Sequence, residues 1–218
     1  MCWSATADLI AGSGVAAVGV ACVARVRSAR ELPLAAVPLV LGAHQIVESV
    51  VWHSDGGSGP ATVAWAVIAL PLLAVWVPGG VMCVAPRHAR YRLSLPLAVG
   101  AATAAQLAHG LATDLVSAEI RGHTVGYVLH VSHAPLLAAG YLFATVGSLL
   151  LSGDRRLLVL GILVAVGASA CWALWRLEFV STWCAFAALC SVVLFGWVRA
   201  RPTSTQVPLG PVAVTDDD

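Results

Sequence analysis

Lysine is missing from this chain, and charge of either sign is scarce. All 12 basic residues are arginine, and with 11 acidic residues they make charged side chains only 11 % of the sequence. Ordinary globular proteins carry about 25 %. Hydrophobic residues reach 59 % of 218, so a soluble domain of this length would lack the charge to cover its surface. That balance excludes a disordered chain and a basic nucleic-acid-binding module. No C-x-x-C pair occurs among Cys2, Cys22, Cys83, Cys171, Cys184 and Cys190. Most of these lie in apolar runs, where cysteine behaves as a small hydrophobe, so a disulfide-stapled secreted domain is excluded as well. No basic residue precedes Arg25 and no small-x-small cleavage site stands out. The first apolar run is therefore expected to stay in the protein as a span rather than leave as a signal peptide.

What is abundant is long apolar stretches. A span needs roughly 20 apolar residues to cross the hydrocarbon core. Seven such runs cover 5–24, 34–53, 62–84, 93–114, 127–151, 156–176 and 179–198. The expectation is an all-α, integral membrane bundle of seven transmembrane helices over 1–198. The Pro-rich stretch 199–218, ending in three Asp, reads as a disordered cytoplasmic tail. Arg25, Arg27, Arg30, Arg87, Arg90, Arg92, Arg155, Arg156, Arg199 and Arg201 fall in alternate loops and the tail, and only Arg121 and Arg176 fall on the opposite side. The positive-inside rule then puts the N-terminus outside and the C-terminus in the cytoplasm.

That orientation gathers scattered polar residues into one outer layer. Glu48 lies roughly 8 Å below the outer end of span two at helical rise, with His44 a turn deeper and Trp52 a turn shallower on the same stripe. His109 sits at similar depth in span four, with Asp114 above it. His130 and His133 begin span five, and Asp8 enters span one. An ionisable residue in hydrocarbon is costly and normally faces the bundle interior. Glu48 is the clearest case, the bland alternative being a carboxyl that merely hydrogen-bonds two helices together. His44 could equally be a helix–helix contact, and His130 with His133 either a one-face metal pair or two interfacial residues. His53 and His123, in or beside outer loops, read as solvated.

Eight Trp stand against four Phe and three Tyr. Trp3, Trp52 and Trp197 suit an interfacial belt, and Trp76 suits packing. Trp65, Trp172, Trp175 and Trp183, together with Trp52 on the Glu48 stripe, are the candidates to face a substrate in an outer cavity, where indole faces attract cations. Arg176 and Glu178 read as an interfacial ion pair.

The segments MCWSATAD, ELPLAAVPLVLGAHQIVESVVW, AEIRGHTVGY and VSTWCAFAALCSVVL resemble a family of small bacterial seven-span proteins. These open with a similar Met-Cys-aromatic-Ser-Ala-Thr-Ala string and keep a Gln-x-x-Glu pair, here Gln45 and Glu48. The likeness covers nearly the whole chain except the tail. It implies a multi-pass protein of the bacterial cytoplasmic membrane. One branch resembles the membrane-bound terpene cyclases of indole-sesquiterpenoid pathways, of the drimentine and xiamycin type, and fungal meroterpenoid cyclases are similar in size and span number. Only Glu48 is carried over from that likeness, as an acidic residue within the membrane. Asp8 stands where the wider family has a small polar residue, and His44 where Gln is expected.

Cyclisation of this kind starts by protonating an alkene or epoxide and ends with loss of a proton. It needs an acid, a dry cavity, aromatic faces for carbocations and a base. Glu48 is the candidate acid, and Asp8 or Asp114 the base. Hydrogen bonds from His44, Asp8 or His109 would have to stabilise the carboxylate as it forms. The partner would be a prenylated indole or similar hydrophobic molecule, with no cofactor and no nucleic acid. A second reading is a membrane hydrolase with zinc held by His44, Glu48, His109, His130 and His133. A third is a non-catalytic transporter, receptor or assembly protein.

Overall fold

Apolar runs of about twenty residues satisfy their backbone polar groups internally only as helices when lipid surrounds them. The computed structural model, which describes residues 4–174 and 178–200, follows that rule. Six helices are long and apolar enough to cross a membrane: α1 Ala5–Val23, α2 Leu32–His53, α3 Pro60–Val84, α4 Arg87–Thr113, α6 Arg155–Leu174 and α7 Phe179–Arg199. Between them lies a shorter apolar helix, α5 Ala134–Leu150. The protein is a multi-pass helical membrane protein. Trp3, Cys2, Trp175, Arg176 and the tail from Arg201 onward lie outside the described residues.

One expected boundary is wrong. The fifth span does not begin at residue 127. Ser117–Arg121 and Thr124–Val128 form two antiparallel strands, β1 and β2, in the register Ala118 to Tyr127 and Ile120 to Val125. Gly122, with φ at 62°, supplies the positive-φ first position of the two-residue turn. Gly57, in the connection between α2 and α3, pairs with Ala118 through two backbone hydrogen bonds of 2.8 and 2.9 Å. The polar break AEIRGHT is thus a small hairpin laid over one end of an otherwise helical bundle, and α5 is correspondingly short.

The opposite end carries the arginines Arg25, Arg27, Arg30, Arg87, Arg90, Arg92, Arg155, Arg156 and Arg199. There Arg25 and Arg199 lie over the Phe195 ring at 5.2 and 5.6 Å, and Arg156 donates to the Gly196 carbonyl. Trp197, expected at the interfacial level, is buried within the protein at this end, and its indole N–H donates to Asp154 Oδ2 at 3.0 Å. Trp76 is half-buried as expected of a packing residue, with its N–H on the Pro33 carbonyl at 2.8 Å.

Small residues decide how α1 meets α2. A Cβ on Gly12 would collide with Gln45 and the Gly42 carbonyl, and one on Gly42 would collide with the Ala16 backbone. Backbones this close are the membrane version of tight helix packing, in which glycine lets dispersion contacts replace the missing hydrophobic drive. The result sets Asp8 of α1 beside the polar face of α2. Two helices also carry a π-helical turn, Ile68–Leu72 in α3 and Phe143–Gly147 in α5. The first contains Pro71, whose missing N–H breaks the regular ladder. The Tyr141 hydroxyl, just ahead of the second, donates to the Ala69 carbonyl within the first at 2.6 Å.

Candidate functional site

Between the hairpin and mid-bundle, α2 turns one face inward, and that face is polar. His44, Gln45, Glu48 and Ser49 are all buried, as is Asp8 on the neighbouring α1. Burying this many polar groups is expensive unless they bond one another. They largely do. Gln45 Nε2 donates to Glu48 Oε2 at 3.2 Å and to His44 Nδ1 at 3.2 Å. The Ser181 hydroxyl, from α7, donates to the other Glu48 oxygen at 2.5 Å. The Trp52 indole N–H donates to Asp8 Oδ2 at 2.8 Å, and Asp8 is near enough to Glu48 for the two carboxyl groups to interact through space.

Both Glu48 oxygens therefore accept hydrogen bonds. Because His44 Nδ1 accepts from Gln45, its Nε2 carries the ring proton in the neutral form. That Nε2 is buried without a hydrogen-bond partner among the described residues, as are Trp65 Nε1 and Asp8 Oδ1.

His44 connects this set to an aromatic wall. Its ring lies 4.8 Å from that of Trp65, and the Trp65 indole stacks on Tyr127 of β2 at 3.4 Å, nearly parallel. Beyond them opens a cavity of about 380 Å³, within the usual range for small-molecule sites. Its aromatic lining is Trp65, Tyr127, Tyr141, Trp172, Phe179 and Trp183. Val116, Leu129 and Val131 from the flanks of the hairpin line it as well, and the start of α5 forms one side. Trp172, Phe179, Trp183 and Tyr141 form a run of ring contacts down this wall, each 5.6–5.7 Å apart.

The expected polar layer is only partly assembled. Asp8, His44, Glu48 and Trp52 converge; Trp65, Trp172 and Trp183 line the cavity; Trp175 lies outside the described residues. Trp52 is not on the cavity wall, because its indole is turned to Asp8. His109, Asp114, His130 and His133 are exposed, as are His53 and His123. His109 is on an outward face of α4, and His133, with a positive φ of 62°, immediately precedes α5. His130 and His133 do not share a helical face, since α5 starts only at Ala134. Among the described residues no group of three or more His, Cys, Asp or Glu side chains could hold a metal, so the five proposed zinc ligands do not fit one ion.

Two members of the site were missed by sequence reasoning. Ser181 lies one turn into α7, a depth signal that was present but is weak for a residue as common in helices as serine. Gln45 stood in the Gln-x-x-Glu pair without a role, and it proves to be the link between Glu48 and His44.

No curated protein and no solved structure matches the chain. A family profile matches residues 1–208, nearly its whole length. The chain belongs to that family, the family of unknown function DUF6629.

Proposed function

We propose that the protein is a membrane-embedded terpene cyclase acting on a prenylated indole or similar meroterpenoid precursor. The observation that carries this reading is the adjacency of a largely apolar, aromatic-lined cavity to a buried, hydrogen-bonded carboxyl. Carbocations are stabilised by π faces and destroyed by water. A cavity of that volume walled by Trp and Tyr rings suits a folded isoprenoid chain, with the indole toward the hairpin.

In the reaction the Glu48 carboxyl gives its proton to the terminal alkene carbon or epoxide oxygen. The electron pair of the next double bond attacks the electron-poor carbon and closes a ring. The last cation then loses a proton to a carboxylate, and the product is an isomer of the substrate. Ser181 and Gln45 supply what a carboxylic acid needs to protonate so weak a base: two donors already aimed at the oxygens on which charge develops. Asp8, with one oxygen free of hydrogen bonds, is the nearer candidate for the final base; Asp114 is exposed and takes no part. Glu48 stands one residue layer behind the cavity wall, so on this reading the His44–Trp65 contact opens when substrate binds. Neither His44 Nε2 nor Trp65 Nε1 has a hydrogen bond to lose in that movement.

The arginine distribution supports an orientation with the hairpin and N-terminus outside and the arginine end in the cytoplasm, in a bacterial cytoplasmic membrane. The test is mass spectrometry on membranes carrying the protein, fed farnesylated indoles with and without a terminal epoxide. A product of unchanged mass and shifted retention, absent in Glu48→Gln, is the expected result. A folded protein that forms no such product from either substrate overturns the reading.

A further inference from the structure

A second, smaller cavity of about 60 Å³ lies deeper in the bundle, toward the arginine end. Its lining is almost wholly apolar, with Leu41 of α2, Leu73 of α3, Leu160 of α6 and Ala187 of α7 among its walls. Tyr141 and Trp183 line both this cavity and the larger one above it. Their rings meet edge to face at 5.7 Å and 72°, and each is pinned from behind. The Tyr141 hydroxyl is held by the Ala69 carbonyl in the π-helical turn of α3. The Trp183 N–H is held by the Val164 carbonyl of α6 at 3.2 Å. Two anchored rings at the boundary of two apolar spaces make a fixed partition.

We infer that Tyr141 and Trp183 form the floor of the substrate cavity and set the length of isoprenoid chain that it accepts. This rests on the reading of the larger cavity as a prenyl site. A chain that fits above the floor gains apolar contact with each added unit until its end meets the rings. Further units must then leave the cavity or displace a pinned aromatic pair. Removing the Trp183 ring joins the lower space to the upper one and gives the chain end somewhere to go.

The experiment measures binding of geraniol, farnesol and geranylgeraniol to the purified full chain by native mass spectrometry. Wild type is expected to show a length beyond which binding stops improving. In Trp183→Ala that limit moves to a longer alcohol, the longest gaining at least about tenfold relative to the shortest, which burial of only two further carbons would supply. Adding Ala187→Phe, which fills the lower space, returns the limit to that of wild type. If Trp183→Ala fails to fold, Tyr141→Leu serves, since it shortens the other half of the same partition. Unchanged length preference in a folded variant that still binds overturns the floor while leaving the prenyl site intact. Absence of binding of all three alcohols to wild type overturns both.

Discussion

The indole N–H of Trp52 reaches across from α2 to Oδ2 of Asp8 on α1, at 2.8 Å. It is the one hydrogen bond that the Asp8 carboxyl accepts among those described, and the other oxygen is buried without one. Asp8 is fully buried, so the bond satisfies a group that would otherwise be costly. Trp52→Phe is expected to destabilise the protein by about 1–3 kcal/mol. Asp8→Asn, which relieves the buried acid beside Glu48, is expected to cost less. Thermal unfolding in detergent of both single variants and the double variant checks this, and non-additive effects are expected because the two residues touch.

Glycine at 42 is a spacing requirement, whereas glycine at 14 is not. Gly42→Ala drives a methyl group into the α1 backbone, while the corresponding atom on Gly14 meets nothing. Gly42→Ala should lose about 1–3 kcal/mol through overpacking. Gly14→Ala should stay within about 0.5 kcal/mol of wild type. Equal melting temperatures for the two variants would contradict the close approach of α1 and α2.

Ser181→Ala removes the donor on Glu48 Oε1 and leaves the carboxyl with Gln45 on its other oxygen. A hydrogen bond to a charged group is worth about 1.5–3 kcal/mol. On the cyclase reading, product formation should therefore fall by roughly ten- to a hundredfold. Ser181→Thr, which keeps a hydroxyl, should recover part of the rate. Initial rates of product formation on intact membranes separate the two.

The exposed histidines serve as an internal control. Replacing His109, His130 and His133 together by Ala should leave both the melting temperature and the product rate within about twofold of wild type, as for surface substitutions generally. A large loss of product in that triple variant would contradict the placement of these three side chains away from the site.

Hydropathy located the long helices because lipid imposes one rule on every residue of a span, and a sum over twenty positions averages out local exceptions. It misplaced the start of α5 because the TVGYV stretch is as apolar as a helix end. Its strand partner and the Gly57 bridge lie outside any local window. The site divides in a similar way. Asp8, His44 and Glu48 were legible because a titratable side chain inside an apolar run has to face something polar. Depth alone put His109, His130 and His133 in the same layer, but what decides their neighbours is helix rotation for the first and the late start of α5 for the others. Neither is written in the residues themselves. Ser181 stayed hidden for the opposite reason: nothing about a helical serine announces that a carboxylate from another helix is waiting for it.

The apolar lining of the large cavity changes what concentration means for an occupant. On the cyclase reading the occupant is a prenylated molecule, which dissolves in the surrounding lipid before it meets walls as apolar as these. Occupancy then follows mole fraction in the bilayer, and an affinity expressed per volume of water scales with the amount of membrane in the assay. A molecule scarce in solution but strongly partitioned into lipid is, for this protein, an abundant one.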